Sequence, residues 1–228
     1  MTRRDDATTT DRVAIVTGGS RGLGREVTRA LARRGYPVIV NYARDQRAAD
    51  ATVDEVLATN GIALAIRADV ADELDVERLF AETSEAFGGV DVLVHAAGQM
   101  VFAPVADFDL RRFDAVERTN VRGTFIVNRE ASRLLRRGGS IVNLSCAVGG
   151  PAVPASARCA TGKAAAVEVI TRVLAKELVG REITVNAVAT GQHGAVRVSA
   201  VADLVVYLVG RDARSLNGQV IRIGAGPT

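Results

Sequence analysis

The sequence contains few of the residues that several classes of protein require. It has no tryptophan, two cysteines, two histidines and only 4% aromatic residues among 228 positions. Two cysteines cannot form a disulfide framework, so we expect a reducing, cytoplasmic location. The scarcity of aromatic rings disfavours a surface on which nucleic-acid bases stack. No apolar run approaches the roughly 20 residues of a membrane span, so we expect neither a nucleic-acid nor a membrane partner.

The composition favours one folded domain. Hydrophobic residues make up 48% of the chain, which is enough to bury a full core. The formal net charge is +3, and the basic residues are scattered along amphipathic segments, as is typical of solvated helix faces. Residues 1–10 lack the apolar stretch of a signal peptide and are predicted to form a disordered tail. Residues 11–228 are predicted to form a single domain.

Short apolar segments rich in β-branched residues alternate with amphipathic segments of helical length. The predicted strands cover residues 12–17, 36–41, 63–70, 90–98, 139–145, 183–189 and 218–224. The predicted helices cover about 23–34, 45–59, 72–87, 109–136, 155–179 and 201–209. This alternation predicts right-handed βαβ units. The expected fold class is therefore α/β: a Rossmann-type, doubly wound, seven-stranded parallel sheet with helices on both faces.

A glycine-rich turn, TGGSRGLG, lies between the first predicted strand and the first predicted helix. Its glycines remove side chains where the backbone must turn tightly and approach a pyrophosphate, which the amino end of the helix attracts. The alternative is an ordinary tight turn, but the position between strand and helix is the one that a dinucleotide site requires. We assign the turn to cofactor binding through Gly18, Ser20, Arg21, Gly22, Leu23 and Gly24.

The glycine spacing, and the sequence over nearly the whole chain, resembles the short-chain dehydrogenases/reductases. Within that family the chain is most similar to the 3-oxoacyl-acyl-carrier-protein reductases. The segment ADV at 68–70 resembles the adenine-pocket motif of the family. The resemblance implies that Asp69 accepts a hydrogen bond from the adenine amine and that Val70 lines the same pocket.

Two further segments carry the resemblance. HAAG at 95–98 resembles the family's Asn-Asn-Ala-Gly motif, which implies that Ala96 and Gly98 let the cofactor ribose approach. His95 replaces the leading asparagine, and we interpret it as a packed or hydrogen-bonded residue rather than a reagent. TNVRGTF at 119–125 places Asn120 at the family's catalytic asparagine, which helps to hold a water near the lysine.

Two of the three remaining catalytic positions depart from the family. Its serine, tyrosine and lysine fall on Cys146, Cys159 and Lys163, thirteen and four positions apart. Strand alternation turns Ser145 to the opposite face, so it is not expected to replace the serine. A thiol is a weak hydrogen-bond donor and reaches roughly 3–4 Å less far than a phenol oxygen. Beside the lysine, a partly ionised thiol would suit a nucleophile or base; the alternative is that both cysteines only fill space.

Charge at the end of the second strand predicts the cofactor. NAD-binding proteins place a carboxylate there, which binds the ribose 2′-hydroxyl and repels a 2′-phosphate. This chain has Asn41 at that position, followed by Arg44, and Arg21 lies in the glycine turn. Two arginines without a carboxylate favour NADP(H); the alternative is that they only face water.

The segment after the sixth predicted strand is short. NAVATG at 186–191 has Thr190 where the family usually has proline, and the helical lid that should follow has no room. We expect an open substrate site. His193 lies in this loop, but the spacing of cysteines and histidines matches no recognised ligand pattern, so we predict no metal site.

Three functions remain open. The first is a divergent NADP(H)-dependent reductase of ketone or ketoacyl substrates that uses a water near Asn120 and Lys163 as proton source. The second is a catalytically dead member that binds cofactor or a partner subunit. The third is a cyclase, isomerase or lyase with a thiol reagent. In the family the helices corresponding to 109–136 and 155–179 pair across a two-fold axis. We therefore expect a homodimer or homotetramer, or a hetero-oligomer with an active family member.

Overall fold

The computed structural model of the chain describes residues 11–101, 104–146, 160–190 and 197–224. Seven parallel strands form one sheet in the order β3-β2-β1-β4-β5-β6-β7. The strands are β1 Ala14–Thr17, β2 Val38–Tyr42, β3 Ala63–Arg67, β4 Val90–His95, β5 Leu135–Cys146, β6 Thr184–Thr190 and β7 Val220–Ile223. The predicted doubly wound parallel sheet is confirmed.

Seven α-helices lie between the strands. They are α1 Gly22–Ala32, α2 Gln46–Leu57, α3 Glu73–Phe87, α4 Leu110–Glu117, α5 Gly123–Leu134, α6 Ala160–Glu177 and α7 Val198–Val209. None of the helices in the described ranges is long and apolar enough to cross a bilayer.

The strand order reverses beside β1, which pairs in parallel with β2 on one side and β4 on the other. Beyond the carboxyl ends of these strands the connecting chains diverge to opposite faces of the sheet. Such a topological switch point is where open α/β sheets bind ligands. The glycine-rich turn after β1 and the HAAG segment after β4 therefore meet at the same edge.

Two hydrophobic layers hold the helices against the sheet. Successive β1 residues point to opposite faces, so Val16 packs in one layer and Ile15 in the other. The first layer includes α1 and α7 residues such as Leu31 and Val205, and the second includes Phe80 of α3. Because both faces are covered, the central strands β1 and β4 are buried along their whole length rather than on alternate residues.

The predicted helix over 109–136 is interrupted. A π-helical turn, Arg118–Arg122, separates α4 from α5, and the helix ends at Leu134. The side chain of Asn120 in this turn exchanges two hydrogen bonds, both 2.8 Å, with the backbone N–H and C=O of Gln99. These bonds tie the turn to the chain that leaves β4. Local π turns of this kind occur frequently at functional sites.

Buried amides position α6, the helix that carries Lys163. Asn128 of α5 and Asn143 of β5 donate to each other's carbonyl oxygens at 2.9 and 3.0 Å. Asn143 also donates to the Thr171 hydroxyl of α6 at 3.3 Å. All three side chains are fully buried, so each bond avoids a substantial desolvation cost. The network fixes α5, β5 and α6 relative to one another.

Candidate functional site

The glycine-rich turn has the backbone geometry of an anion cradle. Gly18 has a φ of +64°, and a Cβ there would lie 2.9 Å from the Cα of Ala97. A Cβ on Gly24 would clash with the carbonyl oxygen of Gly18. Gly22 has a φ of +53° but faces open space. Two of the glycines are therefore required by close backbone approach, and the third leaves room beside the amino end of α1, which has no side-chain cap.

The other residues of the turn divide into buried and exposed members. Ser20 is buried, and its carbonyl accepts from the Thr52 hydroxyl at 3.2 Å. Leu23 packs against the hydrophobic layer beside α1. Arg21 is exposed, as is Arg44 after β2. Both arginines thus lie at the carboxyl edge of the sheet, where the connections after β1 and β2 begin.

Asn41 is directed into the sheet instead. It is buried, and its amide donates to the backbone carbonyls of Ile66 and Ala68 at 3.3 and 3.0 Å. The strand continues one residue further than predicted, to Tyr42. The amide of Asn41 thus ties β2 to β3, and the residues after Tyr42 are the ones that meet solvent at this edge.

Asp69 has a partner that the sequence pattern did not reveal. Its carboxylate binds the Arg118 guanidinium at 2.7 Å and accepts from the backbone N–H of Ala71 at 3.0 Å. Burial alone would raise the pKa of Asp69, but these two hydrogen bonds outweigh burial and lower it. Val70 beside it is buried. It lies so close to Gly123 that a Cβ on Gly123 would come within 2.9 Å of the Val70 side chain. The predicted adenine pocket is therefore an ionised, arginine-bound carboxylate next to an apolar wall.

Lys163, Asn120 and the HAAG segment converge. The Lys163 ammonium donates to the carbonyl of Ala97 and is almost completely buried. A Cβ on Gly98 would lie 2.7 Å from its Nζ and 3.2 Å from Oδ1 of Asn120. A side chain at position 98 would therefore have to displace the Lys163 ammonium. Ala96 leads into this segment, and its N–H donates to the carbonyl of Thr17 at 3.2 Å.

His95 is the centre of a buried hydrogen-bond chain. Its Nδ1 lies 2.9 Å from the Thr17 hydroxyl, which accepts from the Ala97 N–H at 3.2 Å. Its Nε2 lies 3.0 Å from the Thr124 hydroxyl, which donates to the Asn120 carbonyl at 2.6 Å. Because the Thr124 hydroxyl donates to Asn120, Nε2 must carry the proton that it shares with Thr124, and in the neutral ring Nδ1 accepts from the Thr17 hydroxyl. Burial, and then the Lys163 charge, hold the pKa of His95 well below its ordinary value.

A carboxyl group also lies beside the start of α6. A Cβ on Gly162 would come within 2.7 Å of the Glu117 carboxyl carbon, so the absence of a side chain makes room for that group. Burial raises the pKa of Glu117. Nothing in the sequence pattern distinguishes this glutamate from the other acidic residues of α4.

The two predicted site cysteines lie at or beyond the limit of the described residues. Cys146 is the last residue of β5 and pairs in register with Thr190 of β6, but its side chain is not described. Cys159 and His193 lie outside the described residues altogether. That the two cysteines lie beside Lys163 therefore stays a prediction. The described strand β6 ends at Thr190 and α7 begins at Val198, which leaves residues 191–197 to connect them.

Comparisons with known proteins identify related sequences. The short chain dehydrogenase family profile matches residues 12–202. The chain is 33% identical to an uncharacterized oxidoreductase of Methylorubrum extorquens, over 94% of this chain and 97% of that protein. It is 39% identical to the 3-oxoacyl-[acyl-carrier-protein] reductase of Synechocystis sp., over 80% of this chain and 74% of the other.

A solved structure shares the fold closely. The short chain dehydrogenase of Burkholderia cenocepacia, determined in complex with NADP, superposes with a TM-score of 0.88 at 33% identity. The alignment covers 96% of this chain and 98% of that one.

The buried neutral His95 makes a pH dependence of stability testable. The unfolded chain takes up a proton at this residue below about pH 6.5, whereas the folded chain does not until its lowered pKa is reached. Stability is therefore fully present above pH 6.5 and falls below it, by up to about 1.4 kcal/mol per pH unit for this residue. Urea unfolding from pH 7.5 to 5 should show this loss, and His95→Asn should reduce its slope.

His193→Gln removes the other histidine of the sequence, and comparing its slope with that of His95→Asn separates the contributions of the two imidazoles. An unchanged slope in His95→Asn would show that the imidazole titrates alike in the folded and unfolded chains.

Proposed function

The chain belongs to the short-chain dehydrogenase family, and we propose that it is a cytoplasmic NADP(H)-binding protein with at most weak reductase activity. The proposed substrates are carbonyl compounds of the ketone or ketoacyl type. The observation that carries the proposal is the convergence of the glycine-rich turn, Gly98, Asn120 and Lys163 at one edge of the sheet. When bound, NADPH supplies the hydride for such a reduction.

The described residues fit a dinucleotide. Gly22 leaves open space beside the uncapped amino end of α1, where a pyrophosphate finds free N–H groups and a favourable dipole. Arg21 and Arg44 are the exposed cations that would bind a 2′-phosphate. Asp69 would accept from an adenine amine through lone pairs not engaged by Arg118 and Ala71. Lys163 would bind the nicotinamide ribose, as the family resemblance implies.

The proton-transfer half supports only weak catalysis. We propose that Cys146 and Cys159 replace the serine and tyrosine hydroxyls, so no strong hydrogen-bond donor anchors the carbonyl oxygen. Loss of a positioned acid costs about 10²–10⁴ in rate. Lys163 and Asn120 remain, and we propose that they hold a water that provides the proton. The short connection over 191–197 supports an open substrate site, in which water is poorly excluded.

A second candidate is a non-catalytic NADP(H)-binding subunit. It is favoured by the contrast between a cofactor cradle with every close-approach glycine in place and two replaced proton-transfer residues. In that case the cofactor stabilises a conformation or an assembly instead of reacting.

We also propose that the protein assembles as a dimer or tetramer. Helices α4, α5 and α6 expose apolar side chains that water disfavours: Leu110, Phe113, Phe125, Leu134, Val169 and Val173. A two-fold axis that pairs these helices would cover them in an isologous interface.

Light scattering should therefore find a dimer or tetramer at micromolar concentration. Phe125→Glu should shift the mass toward the monomer, because a charge in the interface must lose its hydration. Leu57→Glu on α2 is the control, since Leu57 is similarly exposed, 51% against 59%, but lies on another helix. A monomeric wild type would contradict the assembly.

NADPH should bind more tightly than NADH. A charge-assisted hydrogen bond contributes about 1.5–3 kcal/mol, so each of Arg21 and Arg44 should add a preference of roughly 10–100-fold. Arg44→Ala should weaken NADPH binding and leave NADH binding nearly unchanged. Titration calorimetry measures both.

Two glycine variants control for general disruption. Gly24→Ala should abolish binding of both cofactors, because its Cβ clashes with the Gly18 carbonyl, whereas a Cβ on Gly180 meets nothing within 4 Å. Gly180→Ala should bind normally. Tighter binding of NADH than of NADPH would show that the two arginines do not face the 2′ position.

Turnover of small activated ketones should be very low. NADPH consumption by wild type should stay far below the roughly 1–10³ s⁻¹ of ordinary enzymes. Cys159→Tyr with Cys146→Ser should recover only part of the rate, because hydroxyls restore acid catalysis but not closure over the substrate. A wild type within the ordinary range would identify the cysteines as reagents. A double variant that reaches that range would show that the short connection is unimportant.

A further inference from the structure

A second cavity lies at the opposite edge of the sheet from the glycine-rich turn. It has a volume of 730 Å³ and is lined by residues that precede β1, begin β5 and β6, and follow α7. Its charged lining consists of Arg12, Arg137, Arg211, Arg214, Asp91 and Glu182. Because this is the amino edge of a parallel sheet, the cavity shares no residue with the proposed cofactor site.

Both carboxylates of this cavity are already bound to arginines. Asp91 accepts from the Arg136 side chain and from the backbone N–H of Val13 at 2.7 Å. Glu182 binds the Arg137 guanidinium. Arg211 and Arg214 therefore add positive charge beyond what the lining carboxylates neutralise.

Arg214 shows the effect of this excess of positive charge. Its guanidinium donates to the carbonyls of Gly138, Gly139 and Glu182, which hold it in place without neutralising its charge. Burial, and then the charge of Arg12, lower the pKa of Arg214, and Arg211 acts in the same direction. Like charges that lower each other's pKa are stabilised by an anion placed between them.

Arg211 provides a guanidinium for such an anion. It lies exposed in the short helical turn Arg211–Ala213 after α7. Within the described ranges, no carbonyl or carboxylate accepts from its side chain. The neutral polar residues of the cavity are occupied, since Asn217 bonds to the backbones of Val185 and Ala175. An anion entering the cavity thus meets the guanidinium of Arg211 beside the positive charge of Arg214.

We propose that this cavity binds a small phosphorylated anion carrying at least two negative charges. Guanidinium groups bind phosphate oxygens in pairs of parallel hydrogen bonds. A concave site with low-dielectric walls concentrates the positive potential. The site is separate from the cofactor cradle and does not depend on cofactor binding.

Calorimetric titration of inorganic pyrophosphate tests the proposal. Wild type should bind it saturably at this cavity, and Arg211→Gln should weaken binding roughly tenfold, the loss of one charge-assisted contact. Arg111→Gln is the control, because Arg111 lies on α4 with its side chain 94% exposed, and it should bind as wild type does. Arg211→Glu should weaken binding further, and thermal melting checks that each variant folds.

The cofactor cradle is the competing site for pyrophosphate. Arg44→Gln and saturation with NADPH should both leave pyrophosphate affinity within about twofold of wild type. If Arg44→Gln or NADPH removes binding, or if Arg211→Gln binds as wild type does, the pyrophosphate occupies the glycine-rich turn and the proposal is wrong. Absence of binding at millimolar pyrophosphate overturns it as well. Failure of NADPH to bind would count against the proposed function alone, since Arg211→Gln still tests the cavity.

Discussion

The close approach of the backbone at the ends of β1 and β4 is the constraint on which the site depends. Gly18 must lack a side chain to pass Ala97, and Gly24 must lack one to pass Gly18. The carbonyl of Ala97 then receives the ammonium of Lys163. One tight crossing of two loops thus creates the open space for an anion and also anchors the lysine. A side chain at either glycine would push the two loops apart, and both the space for an anion and the anchor of Lys163 would be lost.

His95 transmits this constraint to the helices. Through Thr17 it holds the N–H of Ala97, and through Thr124 it holds the carbonyl of Asn120. The same ring therefore reaches the loops on one side and the π turn on the other. Because it is neutral and fully buried, it stabilises the arrangement through hydrogen bonds without adding charge beside Lys163. Lys163 and Asn120 therefore keep their relative positions whichever residues occupy the positions of the family's serine and tyrosine.

Much of the fold could be predicted from the sequence, because strand-forming runs and helical periodicity are local properties. All seven strands and the glycine-rich turn were predictable in this way, whereas the proximity of Asn120 to Lys163 was implied by the family resemblance. The ion pair between Asp69 and Arg118, the inward amide of Asn41 and the π turn were not. Each depends on partners more than 20 positions away, such as Gln99 for Asn120 and Ala68 for Asn41. Periodicity carries no information about such contacts.

The glycine-rich turn, Gly98, Asn120 and Lys163 are proposed to bind the cofactor independently of the residues at the proton-transfer positions. Hydrogen–deuterium exchange of the backbone amides, with and without saturating NADPH, tests this proposal most directly. Bound NADPH should slow amide exchange at residues 18–24, at 96–98 and in the first turns of α6. Exchange at 211–214, on the opposite edge of the sheet, should be unchanged. Unchanged exchange at 18–24 when NADPH is present would contradict the account.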